Sequence, residues 1–268
     1  MTSHSVKNRV IVRGAGEMAS GVIKYLVLDG HSVVALEKPA PSCVRRHVCY
    51  AEAFFKERLT IEGVTAVLVS NVEEAEATTD DRIVPLLIDP EAKQLSTLAP
   101  MVVIDARMLK QRSETNLGMA PVVIGLGPGF TASDNCHAAI ETNRGTNLGR
   151  VLYSGSPEVY SGVPASVHGY SRRRVLRSPA QGTFVARCRI SDTVRSGQVL
   201  GYVKSIAVVG AIDGVVRGLI HDGLEVDIGQ KIGDIDPRSV KEHCYVMSDK
   251  ANAIGEGVLE ALRELRCL

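Results

Sequence analysis

The sequence predicts an α/β fold: a Rossmann-like, mostly parallel sheet domain followed by a small β module. Three observations predict this class. Six apolar, β-branched runs recur in the first half of the chain, helical patterns separate several of them, and an internal repeat occupies the region after residue 174. The composition is compatible with this fold, because 268 residues with 45% hydrophobic side chains can bury a substantial core.

The apolar runs have the character of strands that are buried on both faces of a sheet. They are nearly continuous rather than alternating, which is typical of parallel strands covered by helices. The helical patterns between them have apolar side chains on one face. The predicted strands are residues 10–12, 32–36, 66–69, 83–88, 101–104 and 121–124, and the predicted helices are residues 17–28 and 134–143.

The second half of the chain is predicted to contain a linker, a β module and a terminal helix. Residues 153–173 are rich in Ser, Gly and Pro, which indicates a linker after a nucleotide-binding domain over residues 1–152. Residues 174–238 form the β module, and residues 239–268 contain the final helix. In the module, four positions recur at an offset of 32: Gly182, Val194, Gly197 and Gly201 match Gly214, Val226, Gly229 and Gly233.

The repeated units resemble the biotinyl/lipoyl-like barrel-sandwich hybrid, in which two such units interlock. A carrier domain of that kind displays a lysine between its halves, and Lys204 occupies this region. Lys204 lacks the flanking methionines of the familiar attachment site. A scaffold role is therefore favoured over a modified carrier.

Charge and composition exclude several classes of partner. The net charge of +1 creates no field that would concentrate the chain on nucleic acid or on an anionic membrane, and there is no tryptophan to stack on single strands. The six cysteines show no zinc-ligand spacing, so no metal is assigned. The start of the chain lacks a signal-peptide pattern, which predicts a cytoplasmic protein. Whether the chain forms a homo-oligomer stays open at this point.

The first glycine-rich stretch follows a predicted strand and opens a predicted helix, as in dinucleotide-binding turns. Gly14 permits a tight turn, Gly16 lets a pyrophosphate approach the backbone, and Ala19 lets the helix pack on its strand. Glu37 ends the next strand and is expected to accept hydrogen bonds from a ribose diol. The alternative is an ordinary strand-to-helix turn. Glu17 favours that alternative, because its carboxylate would repel a phosphate.

A second glycine-rich loop follows the last predicted strand. Gly125, Gly127 and Gly129 are expected to open the backbone at the carboxyl end of that strand. Because ligands of open α/β sheets bind at such carboxyl ends, the two loops could face one shared crevice.

Candidate catalytic residues lie near the same edge. Cys136 and His137 fall in the first turn of the predicted helix 134–143, where the helix dipole would lower a thiol pKa. Asp105 ends another predicted strand. The alternatives are a capped helix with a half-buried thiol, and an ordinary ion pair between Asp105 and Arg107.

Two adjacent arginines follow the strand that ends at Glu37. Arg45 and Arg46 are candidates for clamping a phosphate. Arginine pairs also commonly bind carboxylates of their own chain, so both roles stay open.

Seven stretches of the chain carry a resemblance to one family: residues 12–21, 44–53, 103–108, 124–130, 136–145, 212–220 and 248–250. Together they resemble a known bacterial family, the YqeB-type proteins of the selenium-dependent molybdenum hydroxylase system. One departure is Glu17-Met18 in place of Asp-Leu. The Rossmann-like part is also similar to the XdhC proteins, which are associated with sulfuration and insertion of the molybdenum cofactor.

Three functional hypotheses follow, and they leave open whether the protein is an enzyme. The resemblance implies an accessory protein that matures a molybdenum hydroxylase client, with a molybdopterin nucleotide in the crevice and Cys136 relaying sulfur or selenium. The glycine pattern alone is also compatible with an NAD(P)-dependent oxidoreductase. The repeat is compatible with a non-enzymatic binding or carrier module.

Overall fold

The computed structural model describes residues 9–78 and 80–266. They divide into two compact units. Residues 9–41, 49–160 and 247–266 form the first unit, and Ser42–Val48 with Ser161–Val246 form the second. Every helix among the described residues lacks the length and apolar character that crossing a membrane requires.

The first unit is built on a nine-stranded mixed sheet. Each of the six predicted apolar runs falls within a strand or begins one residue before it. Their side chains form the core of the sheet; Val10, Ile11 and Val12, for example, are fully buried. The strands are β1 Arg9–Arg13, β2 Ser32–Glu37, β3 Arg58–Ile61, β4 Val64–Val69, β5 Ile83–Ile88, β6 Val102–Asp105, β7 Val122–Leu126, β8 Ala138–Ile140 and β9 Val151–Leu152.

The strand order is β3-β4-β5-β2-β1-β6-β7-β8-β9. The seven inner strands are parallel, whereas β3 and β9 close the two edges in antiparallel pairing. The carboxyl ends of the parallel strands therefore lie at one edge of the sheet. The helices of this unit are α1 Glu17–Leu28, α2 Ala53–Lys56, α3 Val72–Ala77, α4 Leu95–Leu98 and α5 Asp249–Glu264.

The second unit contains two four-stranded sheets. The ladders are antiparallel, in the orders β10-β17-β15-β12 and β14-β13-β11-β16. The internal repeat is visible here, because strands β11, β12 and β13 begin 32 residues before β15, β16 and β17. The strands are β10 Val175–Arg177, β11 Gly182–Ala186, β12 Thr193–Val194, β13 Val199–Val203, β14 Ile206–Val209, β15 Gly214–Leu219, β16 Glu225–Val226 and β17 Lys231–Asp236.

The predicted fold class, a Rossmann-like sheet domain followed by a barrel-sandwich hybrid, is wrong. The first sheet is mixed, and its order places β5 directly beside β2, with β4 and β3 outside it, whereas the Rossmann order 3-2-1-4-5-6 places the third strand there. The chain also passes from β7 to β8 without a crossover helix. The β strands of the second half form two antiparallel sheets, and its unit also includes Ser42–Val48 from the first half.

Candidate functional site

The first glycine turn connects the carboxyl end of β1 to α1. Gly14 has a φ of +101°, and a Cβ there would lie 3.3 Å from the main-chain nitrogen of Arg107. A side chain is therefore disfavoured at Gly14 by both conformation and packing. Gly16, the N-cap of α1, differs: its φ is −67°, and no neighbouring atom lies within 4 Å of its Cβ position.

Glu37 binds the glycine turn itself. Its Oε2 accepts a hydrogen bond from the main-chain nitrogen of Ala15 at 2.8 Å, and its Oε1 accepts one from that of Lys38 at 2.9 Å. The carboxylate thus occupies a turn donor that a phosphate would otherwise use. Its predicted role towards a ribose diol stays a prediction. Ala19 is fully buried in α1.

Helices α1 and α5 pack in parallel through small residues. A Cβ at Gly21 would lie 2.4 Å from the main-chain oxygen of Ala251, so the two backbones approach closely. Further along, the hydroxyl of Tyr25 donates to Glu256 at 2.8 Å. Because contacts advance in the same direction along both helices, their N-termini lie side by side at the carboxyl edge of the sheet.

Lys250 lies half-buried in the first turn of α5. Burial and the neighbouring guanidinium of Arg144 lower its pKa below the ordinary value of 10.5, and the carboxylates of Glu17, Glu141 and Asp249 only partly oppose this shift. Burial is the larger of the two effects, and the three carboxylates do not fully offset burial and Arg144 together at the Lys250 amine.

Two of these carboxylates are held by other groups. Arg144 donates to both oxygens of Asp249, at 2.7 and 3.0 Å. The buried carboxylate of Glu141 accepts hydrogen bonds from the main-chain nitrogens of Asn143 at 2.6 Å and Glu158 at 2.7 Å. Glu141 therefore fixes the segments that follow β8 and β9.

The predicted helix over residues 134–143 is wrong. Residues 138–140 form strand β8, which pairs in parallel with β7. The sheet position overrides the helical pattern of the run, since three buried side chains gain more from the core than from a local helix. His137 and Glu141 consequently do not share a helical face.

Loss of that helix removes the basis of the predicted thiol relay. Cys136 is fully buried, and burial raises the pKa of its thiol to about 12. His137 accepts a hydrogen bond at Nδ1 from the main-chain nitrogen of Val123, 2.9 Å away. The described geometry thus contains no exposed, low-pKa thiolate at Cys136.

The second glycine loop packs against its own chain. A Cβ at Gly125 would lie 2.0 Å from the ring of Phe130, and one at Gly127 would lie 2.9 Å from the hydroxyl of Thr142. At Gly129 it would lie 2.7 Å from the main-chain oxygen of Gln111. These close contacts explain why glycine occupies all three positions. In the described structure the backbone of this loop is covered by the chain itself and is not accessible to a molybdopterin nucleotide or NAD(P).

Asp105 is the centre of a buried ion-pair network. Its carboxylate accepts hydrogen bonds from Arg107 at 2.6 Å and Thr115 at 2.7 Å, and Arg13 lies 3.8 Å away. Burial opposes ionisation, but Arg107 and its neighbours hold the pKa of Asp105 below its usual range. The geometry supports a structural ion pair, the alternative left open by the sequence.

Arg45 and Arg46 lie in the second unit and bind main-chain carbonyls there. Arg45 donates to the oxygens of His243 at 2.7 Å and Val246 at 2.9 Å. Arg46 donates to the oxygen of Leu219 at 2.7 Å. The described contacts thus use both guanidinium groups to join segments of this unit. Within the described ranges, no group of three or more His, Cys, Asp or Glu side chains could hold a metal ion.

Lys250 and Arg144 were not selected from the sequence. The only signal was that both lie in stretches behind the family resemblance, Arg144 in residues 136–145 and Lys250 in residues 248–250. The site joins residues more than 200 positions apart, from α1 and α5, and a single sequence does not reveal which helices pack together.

Comparison with known proteins gives one strong sequence likeness. No protein-family model matches the chain. The uncharacterized protein YqeB of Escherichia coli K12 is 45% identical over 256 residues, which is 96% of this chain and 47% of YqeB. The chain therefore spans about half the length of the curated relative that it matches.

The solved structures found by comparison are much less similar. A succinylglutamate desuccinylase/aspartoacylase from Rhodobacter sphaeroides is 11% identical, with 85% of each chain covered and a TM-score of 0.29. An aspartoacylase family protein from Mesorhizobium loti is 12% identical, with 85% of this chain and 84% of that one covered and a TM-score of 0.27.

The prediction of a maturation factor that binds a nucleotide or molybdopterin-type cofactor for a selenium-dependent molybdenum hydroxylase is contradicted. The glycines of the second loop pack against Phe130, Thr142 and the main chain of Gln111, so the predicted cofactor loop is closed in the described structure. The buried Cys136 also removes the proposed relay. The sequence likeness nevertheless extends over nearly the whole chain. The chain is a YqeB-type homologue that corresponds to about half of that protein.

Proposed function

We propose that the first unit binds a small anion, carrying a carboxylate or phosphate group, at the adjoining N-termini of α1 and α5. The observation that carries this proposal is the half-buried Lys250, whose pKa is lowered by burial and by Arg144. An amine in such surroundings gains from a nearby negative charge, because the charge offsets both effects.

The N-termini of α1 and α5 add hydrogen-bond donors to the positive charge of Lys250. A helix N-terminus carries roughly half a positive elementary charge and main-chain N–H groups that lack partners within the helix. At α5, Ser248 accepts one of these hydrogen bonds, from the main-chain nitrogen of Ala251 at 3.2 Å. At α1, the N-cap Gly16 has no side chain that could do so. The end of α1 is thus accessible to an anion that approaches over Gly16.

The remaining carboxylates limit the class of ligand. Asp249 is paired with Arg144 and Glu141 is hydrogen-bonded to the main chain, as described above. Glu17 stays close enough to affect both Lys250 and Arg144. A small anion with one to three charges fits this balance better than a polyanion such as nucleic acid.

Calorimetric titration with inorganic phosphate and with citrate tests the proposal and distinguishes the two anion chemistries. We expect the wild type to bind at least one of them. The Lys250→Met variant should bind roughly 10-fold or more weakly, because a hydrogen bond to a charged group contributes about 1.5–3 kcal/mol. Lys93→Met is the matched control, since Lys93 is exposed and pairs with Glu91 at 2.6 Å. Equal affinities in the wild type and both variants, or no binding at all, would reject the anion site.

A further inference from the structure

A second concave site lies at the carboxyl ends of β4 and β5, and it shares no residue with the cluster around Lys250. It is a cavity of about 570 Å³, within the range of small-molecule sites. Val72 and Leu87, both largely buried, contribute apolar side chains to its lining. Its walls come from the segments that follow the two strands.

Local hydrogen bonds hold both walls in place. In the first wall, Asn71 Oδ1 accepts from the main-chain nitrogen of Glu74, and Glu74 Oε2 accepts from that of Ser70, each at 2.8 Å. The first bond is the N-cap bond of α3, and the second ties Glu74 to the residue before the N-cap, one position earlier than in a standard capping box. In the second wall, the carboxylate of Asp89 accepts from the main-chain nitrogens of Lys93 at 3.0 Å and Gln94 at 2.8 Å. The cavity is therefore preformed by the chain's own contacts.

Uncharged polar side chains line the cavity. Ser70 and Thr97 contribute hydroxyl groups, which both donate and accept, and Gln94 contributes a complete amide. The oxygen of Asn71 accepts the N-cap bond of α3, and this bond does not use the two N–H donors of the amide. Several donors and acceptors thus line the cavity together with apolar side chains, a combination that suits a ring with hydroxyl groups.

The charges around the cavity disfavour anions. Three carboxylates, those of Glu73, Asp89 and Glu91, line it together with the single ammonium of Lys93. Lys93 pairs with Glu91 at 2.6 Å, which leaves a negative surplus. Carboxylates of this kind can accept hydrogen bonds from ligand hydroxyl groups, whereas a phosphate would be repelled.

We propose that this cavity binds a neutral polyhydroxyl molecule, a sugar or a cyclic polyol, through the amide of Asn71, the hydroxyl of Thr97 and the carboxylate of Asp89. The site is independent of the proposed anion site. Its ligand carries hydroxyl groups in place of negative charge.

Saturation-transfer NMR and calorimetric titration with D-glucose, D-ribose and myo-inositol test this site, with D-glucose 6-phosphate as the charged comparison. Asn71→Asp keeps the oxygen that caps α3 but removes both amide donors, and Thr97→Val removes one hydroxyl at nearly constant shape. Thr60→Val is the control, because Thr60 lies on β3 and pairs with Thr65.

We expect at least one neutral compound to bind and to bind more tightly than the phosphate ester. Asn71→Asp and Thr97→Val should each weaken binding by roughly twofold to tenfold, the range of a lost neutral hydrogen bond, and Thr60→Val should not change it. Absence of binding by all three neutral compounds, tighter binding of the ester, or unchanged affinity in both cavity variants would each overturn the proposal.

Discussion

Replacement of Gly21 by Ala is expected to disrupt the contact between α1 and α5 that assembles the Lys250 cluster. The new methyl group would lie 2.4 Å from the main-chain oxygen of Ala251, closer than carbon and oxygen atoms approach without bonding. Backbone cannot rotate away as a side chain can, so the cost should reach the upper part of the range for overpacking, about 3 kcal/mol. The better helix propensity of Ala returns about 1 kcal/mol.

The net expectation for Gly21→Ala is a loss of about 2 kcal/mol in the free energy of unfolding. Urea unfolding followed by circular dichroism measures this loss, and hydrogen exchange of the α5 amides locates it. A second readout is the reactivity of Lys250 towards an amine reagent, which should approach that of exposed lysines when α5 separates from α1.

Gly16→Ala is the matched control for Gly21→Ala. No neighbouring atom lies within 4 Å of the Cβ position at Gly16, and its φ of −67° suits any residue. We expect a change of less than about 1 kcal/mol, from the N-cap preference alone. Equal unfolding free energies for Gly21→Ala and the wild type would refute the close packing of the two helices.

Three further results are expected. Glu17→Gln should tighten phosphate binding in calorimetry, because it removes a negative charge near Lys250 and Arg144; weaker binding would contradict this. The pKa of Asp236 is lowered to about 2 despite burial, chiefly by Arg238, so its contribution to stability is complete above about pH 4 and is lost as pH falls towards 2. Urea unfolding across this range should show a shallower pH dependence in Asp236→Asn. Mass spectrometry after thiol alkylation at pH 8 should find Cys136 unmodified until urea unfolds the chain, since its pKa is about 12.

Elements whose signal is local could be predicted from the sequence. The six apolar runs predicted strands because a strand that is buried on both faces consists almost entirely of apolar residues. Strand β5 has the predicted bounds, Ile83–Ile88. Helix α1 begins and ends where its pattern does, at Glu17 and Leu28. At the start of α5, Ser248 and Asp249 are both residue types that cap helices, and Ser248 is the one that does so, by accepting from the main-chain nitrogen of Ala251.

Features that depend on distant contacts could not be predicted. The short edge strand β9 has only two residues and no apolar pattern of its own. The run at 138–140 looked helical, and only pairing with β7 makes it a strand. The order of strands in the sheet, which excludes the Rossmann class, likewise has no local signature.

The candidate site was predicted only in part for the same reason. The turn at Gly14 and Gly16 was located from its glycines, and it does lie at the carboxyl end of β1. The role of Glu37 in holding that turn depends on a contact across 22 residues. The contribution of Lys250 depends on the packing of α5 against α1, which only the folded chain shows.

The most direct test of the anion site is the pKa of Lys250, measured by NMR on protein whose unmodified lysines are ¹³C-labelled at Cε, next to the amine. Lys250→Arg, which loses the labelled side chain, assigns the signal. In a buffer without phosphate or citrate, we predict a pKa below the ordinary value of 10.5. Saturating phosphate or citrate should raise it, because a bound anion stabilises the ammonium. A pKa that is unchanged by both anions would contradict the proposal that this cluster binds an anion.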